Sequence, residues 1–193
     1  MALFVISGVP ASGKSTVARL LASRLDRAVY VSGDSVRAMV ISGRAETTPD
    51  EGDPELRNLL LRYEGALALA AVYLKAGFDV IVEDVIIGQV LRGFLPLVPV
   101  PEMHLVFLNP SADALTERDE GRSKTAYGER WSVRQLRDVL RVETARIGFW
   151  LDSTELTPEQ TVDRILNELD KSLVVVSRLA APAARRRRFG PPR

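Results

Sequence analysis

Leu3-Phe4-Val5-Ile6 followed by Gly8-Val9-Pro10-Ala11-Ser12-Gly13-Lys14-Ser15 is the stretch that decides the fold. The second run is G-x-x-x-x-G-K-S, a phosphate-binding loop, and the run before it is a short apolar segment suited to a buried parallel strand. Val17, Leu20, Leu21 and Leu25 then recur at helical spacing. Strand, glycine-rich loop and helix form the context that gives the motif its meaning. A Gly/Ser loop with an incidental lysine is the plain alternative, and the flanking strand and helix weigh against it.

The chemistry requires these residue types at this spacing. Gly8 and Gly13 let the backbone curl, so that N–H groups of Ala11, Ser12, Gly13, Lys14, Ser15 and Thr16 can point at phosphates. Lys14 is expected to reach the β- and γ-phosphates of a nucleotide, and Ser15 to offer its hydroxyl to Mg²⁺. A helix beginning at Lys14 adds the positive end of its dipole to the anion site.

Outward from this loop, apolar runs alternate with helical patterns, which predicts an α/β domain with a parallel sheet. Strands are expected near 3–7, 28–32, 79–83, 103–108 and 147–151. Helices are expected over about 14–25, from near Asp34, and after Asp53-Pro54, where an acidic cap precedes proline. The last of these places Leu59, Leu60, Tyr63, Leu67, Ala70 and Leu74 on one face and ends at Gly77. Ser132 with Gln135 and Thr157 with Gln160 read as capping boxes. Val162, Ile165, Leu166 and Leu169 then mark the inward face of the last helix.

Composition excludes several chemistries. The 193 residues fit one domain, with 46% hydrophobic and 26% charged residues. There is no cysteine, so thiolate catalysis and Cys-based metal sites are absent, and the lone histidine, His104, rules out a multi-histidine centre. His104 begins a strand and reads as structural; Trp131 and Trp150 read as packing anchors. The apolar N-terminus lacks a basic leader and no later run is long enough to span a membrane, so a cytoplasmic location is expected. Net charge is +1, but five of the 26 basic residues lie in the Ala180–Arg193 tail, leaving 21 against 25 acidic residues in the body. A slightly acidic body argues against a broad nucleic-acid surface. Residues 1–179 read as the domain and 180–193 as a disordered basic tail.

Three further segments carry chemistry. In Val29-Tyr30-Val31-Ser32-Gly33-Asp34-Ser35-Val36-Arg37 a strand ends beside Asp34, and ligands in open α/β sheets bind at such strand ends. Asp34 can accept a proton from a hydroxyl as general base, or serve only to cap the next helix. Arg37, one turn on, can clamp a polar substrate group or lie in solvent, and Arg57 of the long helix is a second candidate substrate contact. Val80-Ile81-Val82-Glu83-Asp84 is an apolar strand followed by acid, the pattern of a Mg²⁺-binding carboxylate. Glu83 and Asp84 point to opposite sides of a strand, and Asp84 is favoured for the metal. Arg118-Asp119-Glu120-Gly121-Arg122-Ser123-Lys124 opens a charged stretch, 119–131, that suits a mobile lid whose arginines follow phosphate charge into the transition state; a solvated helix end is the alternative. Residues 42–53 read as a mobile substrate loop.

Over about residues 1–170 the chain resembles the small P-loop kinases of metabolites. Gly33-Asp34-x-Val36-Arg37 is similar to a segment of adenylylsulfate kinases. The loop, Asp34 and Val82-Glu83-Asp84-Val85-x-x-Gly88 together resemble chloramphenicol phosphotransferase. Trp150-Leu151-Asp152-Ser153-Thr154 resembles the adenine-side loop of gluconate and shikimate kinases, which brings Thr154 to the nucleotide. The resemblance implies a three-layer P-loop NTPase fold with five parallel strands in the order 2-3-1-4-5 and a small lid. It implies Asp34 as the base, Arg118 packing on adenine and Arg122 on phosphates, with ATP and Mg²⁺ as cofactors and a small hydroxylated acceptor. A 5′-hydroxyl nucleic-acid kinase, a zeta-toxin-like sugar-nucleotide kinase and a nucleotide-binding module without kinase activity are the competing functions. The acceptor, the choice between ATP and GTP, and the oligomeric state are not readable from the sequence.

Overall fold

A computed structural model describes residues 1–43, 54–120 and 132–179; of residues 54–57 it describes the backbone alone. The expected mobile loop 42–53, nearly all of the lid, Arg57, Arg122 and the tail lie largely or wholly outside the described residues.

Five parallel strands form the sheet in the order β2-β3-β1-β4-β5. They are β1 (Leu3–Gly8), β2 (Ala28–Ser32), β3 (Asp79–Glu83), β4 (Glu102–Leu108) and β5 (Phe149–Leu151). This is the expected order, and each strand lies where an apolar run was read. A sixth, β6 (Leu173–Val175), pairs antiparallel with the start of β4. No motif announced it, since three residues are too few for periodicity to show.

Side-chain alternation along the strands builds two apolar layers. Leu3, Val5, Val80, Val82, Leu105 and Phe107 face one way, against Leu59, Tyr63, Leu67 and Ala70 of α3 (Pro54–Lys75) and Leu91 and Phe94 of α4 (Gln89–Phe94). Phe4, Ile6, Ile81, Val106 and Leu108 face the other, against Val17, Ala18 and Leu21 of α1 (Lys14–Ser23). Val162 and Ile165 of α7 (Pro158–Asn167) complete that layer. The β-strands therefore read as nearly continuous hydrophobic runs because both faces are covered.

Shorter helices finish the frame: α2 (Gly33–Ala38), α5 (Ala112–Glu120), α6 (Val133–Asp138) and α8 (Leu169–Ser172). Both capping boxes form. Ser132 Oγ and Thr157 Oγ1 accept from the backbone N–H of Gln135 and Gln160, whose side chains accept in return from the cap N–H groups. Past α6 the chain widens into π-helical turns over Val139–Glu143. At the end of α3, Gly77 adopts φ 88° and donates to the Leu74 carbonyl, the conformation a helix-ending glycine supplies.

His104 is structural. Its ring stacks on Phe4 at 4.8 Å, and Nδ1 lies 2.9 Å from Ser172 Oγ. Because Ser172 Oγ donates to the Leu169 carbonyl, it accepts from Nδ1–H. Partial burial holds the imidazole below its ordinary value of 6.5, against the opposing pull of the Leu169 backbone, Asp170 and Glu102. The unfolded chain therefore binds a proton at a higher pH than the folded one, so stability falls as pH drops below 6.5 toward the folded value and is unaffected by this group above it. Replacing His104 with Gln should flatten that part of the curve. The check is the melting temperature of both proteins between pH 7.5 and 5, where parallel curves would contradict the assignment.

Candidate active site

The phosphate-binding loop forms as its residue types require. Gly13 takes φ 93° at the cap of α1, a conformation that disfavours any side chain, and no side chain caps the helix start. Ala11 also has a positive φ, 60°, unusual away from glycine and typical of strain held at functional sites. Lys14 is buried and folded back, its Nζ donating to the Val9 carbonyl at 2.9 Å. Thr16 is exposed in the first turn of α1.

At the carboxyl end of β3 the two acids part company. Glu83, the last strand residue, faces α1 and accepts three hydroxyl hydrogen bonds on one oxygen, Oε1. Ser15 Oγ, Tyr30 OH and Ser32 Oγ each donate at 3.0 Å. Asp84, one residue on, faces α3 and pairs with Arg62 Nη2 at 2.7 Å, with both side chains largely buried. The expectation for the metal acid fell on Asp84, whereas the acid that meets the Ser15 hydroxyl is Glu83. The strand ends at Glu83, as expected, and alternation along it sends the two neighbouring side chains to opposite faces, Glu83 to that of α1.

Asp84 is held from several sides. Its Oδ1 also accepts from the Val85 N–H at 2.7 Å, and Tyr63 OH donates to the Val85 carbonyl at 2.8 Å. Burial pushes the Asp84 carboxyl up to about 6, with Arg62 pulling the other way. Its second oxygen, Oδ2, is buried without a hydrogen-bond partner, as is Arg62 Nε. That oxygen lies so close to Gly33 that a Cβ there would sit 1.9 Å from it. Glycine is thus demanded at 33 by the Asp84 carboxylate.

Asp34 follows Gly33 directly and is exposed in the first turn of α2. The N-cap of that helix is Ser32, which spends its hydroxyl on Glu83 rather than on the helix. Asp34 therefore does not occupy the cap position, one of the two readings the sequence left open. Arg37 stands one turn on, half-buried. The register places Ser32 and Ile6 both opposite Glu83, so β2 and β3 end level while β1 continues to Gly8. With strands about 4.8 Å apart, Asp34 begins about 10 Å across from the phosphate loop.

On the other flank of the loop, Gly8 lies opposite Leu108 of β4, so Asn109 emerges beside the loop's entry. The β4–α5 and β5–α7 connections are tied together. Asn109 N–H donates to the Leu151 carbonyl and Ser111 N–H to Thr154 Oγ1, both at 2.9 Å. Thr154 Oγ1 in turn donates to Asp152 Oδ1, which keeps that carboxyl below the usual range. Arg118 Nη2 donates to the carbonyls of Ser153 at 2.9 Å and Thr154 at 3.1 Å. Asn109 Oδ1 and Ser153 Oγ are buried here without partners, each a cost of about 1–3 kcal/mol. Trp150 is the expected anchor, stacked on Phe107 at 4.7 Å with Arg146 4.1 Å from its ring centre.

The structure thus brings Lys14, Ser15, Asp34 and Asp84 to one sheet edge, with Arg118 and Thr154 along the same edge. Sequence reading missed Glu83's contact with Ser15, the Arg62 partner of Asp84, Asn109, and the buried, unpartnered hydroxyl of Ser153. Only the first had a signal, the strand phase.

A family model described as an AAA domain (AAA_33) matches residues 3–145, most of the chain, and the chain belongs to that family. No curated protein matches the sequence. Among solved structures it is similar to an unliganded sugar kinase from Janibacter sp. HTCC2649, at 20% identity and TM-score 0.63, covering 94% of this chain and 99% of that one. A tunicamycin resistance protein of Deinococcus radiodurans aligns at 17% identity and TM-score 0.62, covering 90% and 98%. A shikimate kinase from Bacteroides thetaiotaomicron aligns at 15% and 0.57, covering 88% and 98%. At these identities the likeness concerns the fold, which is that of P-loop kinases.

Gly33→Ala should cost about 1–3 kcal/mol through the clash with Asp84, and Asp84→Ala in the same protein should recover part of it. A double-mutant cycle by denaturant unfolding measures the coupling; strictly additive losses would show that the two residues do not press on each other.

Proposed function

We propose that the protein is a phosphotransferase that moves the γ-phosphoryl group of ATP to a hydroxyl of a small molecule, with Asp34 as general base. The observation that carries this reading is that Asp34 follows the end of β2, two strands from β1 and its phosphate loop, with its side chain exposed; an acceptor held between them would meet the γ-phosphate. The P-loop kinase fold and the kinases among the similar structures support it.

Nucleotide phosphates would replace the Val9 carbonyl as partner of Lys14 and take the N–H groups of residues 11–16. The oxygen donors Ser15 Oγ and Glu83 suit a hard cation such as Mg²⁺, which asks for one or two protein oxygens and takes the rest from phosphate and water. When bound, Mg²⁺ supplies positive charge that offsets the negative charge on the phosphates. Asp34 takes the proton from the acceptor hydroxyl as its oxygen bonds to the γ-phosphorus and the bond to the bridging oxygen of ADP breaks. Lys14 stabilises the charge that develops, Arg118 stands on the nucleoside side, and Arg122 is assigned to the γ-phosphate. Arg37 and Arg57 are assigned to the acceptor. Residues 1–179 form the kinase domain in this reading, with 119–131 as its lid and 42–53 as its substrate loop.

The test has two arms. A panel of sugars, polyols and hydroxylated antibiotics incubated with ATP and Mg²⁺ is screened by mass spectrometry for phosphorylated products. With the acceptor in hand, Asp34→Asn should lower turnover by about 10²–10⁴ and leave ATP affinity and melting temperature nearly unchanged. Normal turnover in the asparagine variant would remove Asp34 from the chemistry.

A further inference from the structure

We propose that two copies of this chain pair through the outer face of α3, antiparallel about a two-fold axis, with Glu64 of each copy meeting Lys75 of the other. The pairing concerns a surface and stands apart from the phosphotransferase reading.

The outer face of α3 is apolar where a helix turned to water is ordinarily polar. Eleven large hydrophobic side chains are exposed among the described residues, and seven of them lie on α3 or just past α2. Leu61, Leu69, Val72 and Tyr73 belong to α3, with Leu61 at 58% and Val72 at 64% exposure, while Met39, Val40 and Ile41 follow α2. At about 100° per residue, Leu61, Gly65, Ala68, Leu69 and Val72 fall in one stripe, which Ala76 continues just past the helix end. Leu59, Tyr63, Leu67 and Ala70 point the other way, into the core. Hydrophobic residues exposed singly are ordinary, whereas a continuous stripe along a 22-residue helix marks an interaction surface.

The charges select the occupant. Glu64 and Lys75 are the exposed charged residues among the described side chains of α3, and neither joins an ion pair among the described residues. They stand about three turns apart on one line along the margin of the stripe, the acid near its start and the base near its end. A second copy turned end for end about a two-fold axis across the helix keeps this line on the same margin and reverses its order, so Glu64 and Lys75 meet twice. A parallel partner would put the two lines on opposite margins. The midpoint of Glu64 and Lys75 falls between Leu69 and Ala70, and that of the stripe from Leu61 to Ala76 between Ala68 and Leu69, a difference of about 1.5 Å along the axis. Charge and apolar pattern therefore share one centre, which a self-complementary surface requires and an unrelated partner does not. On the other margin α2 packs against α3, where a Cβ at Gly65 would sit 3.1 Å from Val36 Cγ1. The same two-fold sets α2 of each copy toward the Tyr73 half of the other's α3, which enlarges the contact toward the roughly 800 Å² per partner that a stable pair buries.

The experiment is sedimentation of the full chain over a dilution series at low salt, with circular dichroism to confirm that each variant is folded. Wild type should sediment as a dimer that dissociates on dilution. Val72→Glu, at the most exposed position of the stripe, should weaken the dimer about a hundredfold by setting unpaired carboxylates in the contact. Glu64→Lys and Lys75→Glu should each weaken it about tenfold at low salt and less at high salt. The double variant Glu64→Lys/Lys75→Glu should return to within about threefold of wild type, since the exchanged charges meet again. A wild-type monomer at every concentration would overturn the proposal, and its flotation with vesicles of phosphatidylglycerol and phosphatidylcholine would give the face to a membrane instead. A dimer untouched by Val72→Glu would place the contact elsewhere and overturn it too. Charge variants whose losses add, with no recovery in the double variant, would rule out the antiparallel pairing.

Discussion

The Glu83 carboxylate is the tie on which the site depends. It ends β3, the strand between β2 and β1, and receives hydroxyls from α1 and from two positions of β2, so one oxygen fixes the phosphate-loop helix against two strands. A carboxylate buried to 4% exposure is costly unless hydrogen-bonded, and these three donors satisfy it. Any rearrangement that pulled Ser15 toward a metal would have to share Glu83 with it. In the proposed function, the same contact would set where a cation sits.

From that tie the sheet edge divides into three zones. The phosphate loop occupies the centre. To one side, Gly33 lets the backbone approach Asp84 closely, and Asp84 is held by Arg62 from α3, so the turn bearing Asp34 rests on a buried ion pair. Such pairs fix geometry more than they add stability. To the other side, two loops are tied together by Asn109, Ser111, Asp152 and Thr154, with Arg118 across them. In the proposed function these zones would take phosphate, acceptor and nucleoside.

Much of this was legible in the chain, for physical reasons. Runs such as Val80–Val82 and Leu105–Leu108 announce strands because both sheet faces are buried. Ser132 and Thr157 announce helix starts because N–H groups at a helix end need acceptors. The loop at 8–15 and Asp34 announce themselves by residue type. The contact of Ser15 with Glu83 rather than Asp84 was harder to read, since alternation says that the two neighbouring side chains face opposite ways but not which of them meets α1. The Arg62–Asp84 pair spans 22 residues and two elements, a distance over which no spacing rule operates. Asn109 carries no motif and Ser153 was read only as part of the Trp150–Thr154 run; their burial without partners shows in the structure alone. β6 and α8 were too short to leave a periodic trace.

The zone assignment is tested most directly by a crystal structure with Mg²⁺ and a non-hydrolysable ATP analogue. The expected result has the phosphates on the N–H groups of residues 11–16 and Lys14 released from Val9. It has the metal beside Ser15 and Glu83, the γ-phosphate facing Asp34, and the base between Arg118 and the Asn109–Ser153 loops. A complex in which Lys14 still bonds the Val9 carbonyl, or in which the base lies on the Asp34 side, would contradict it.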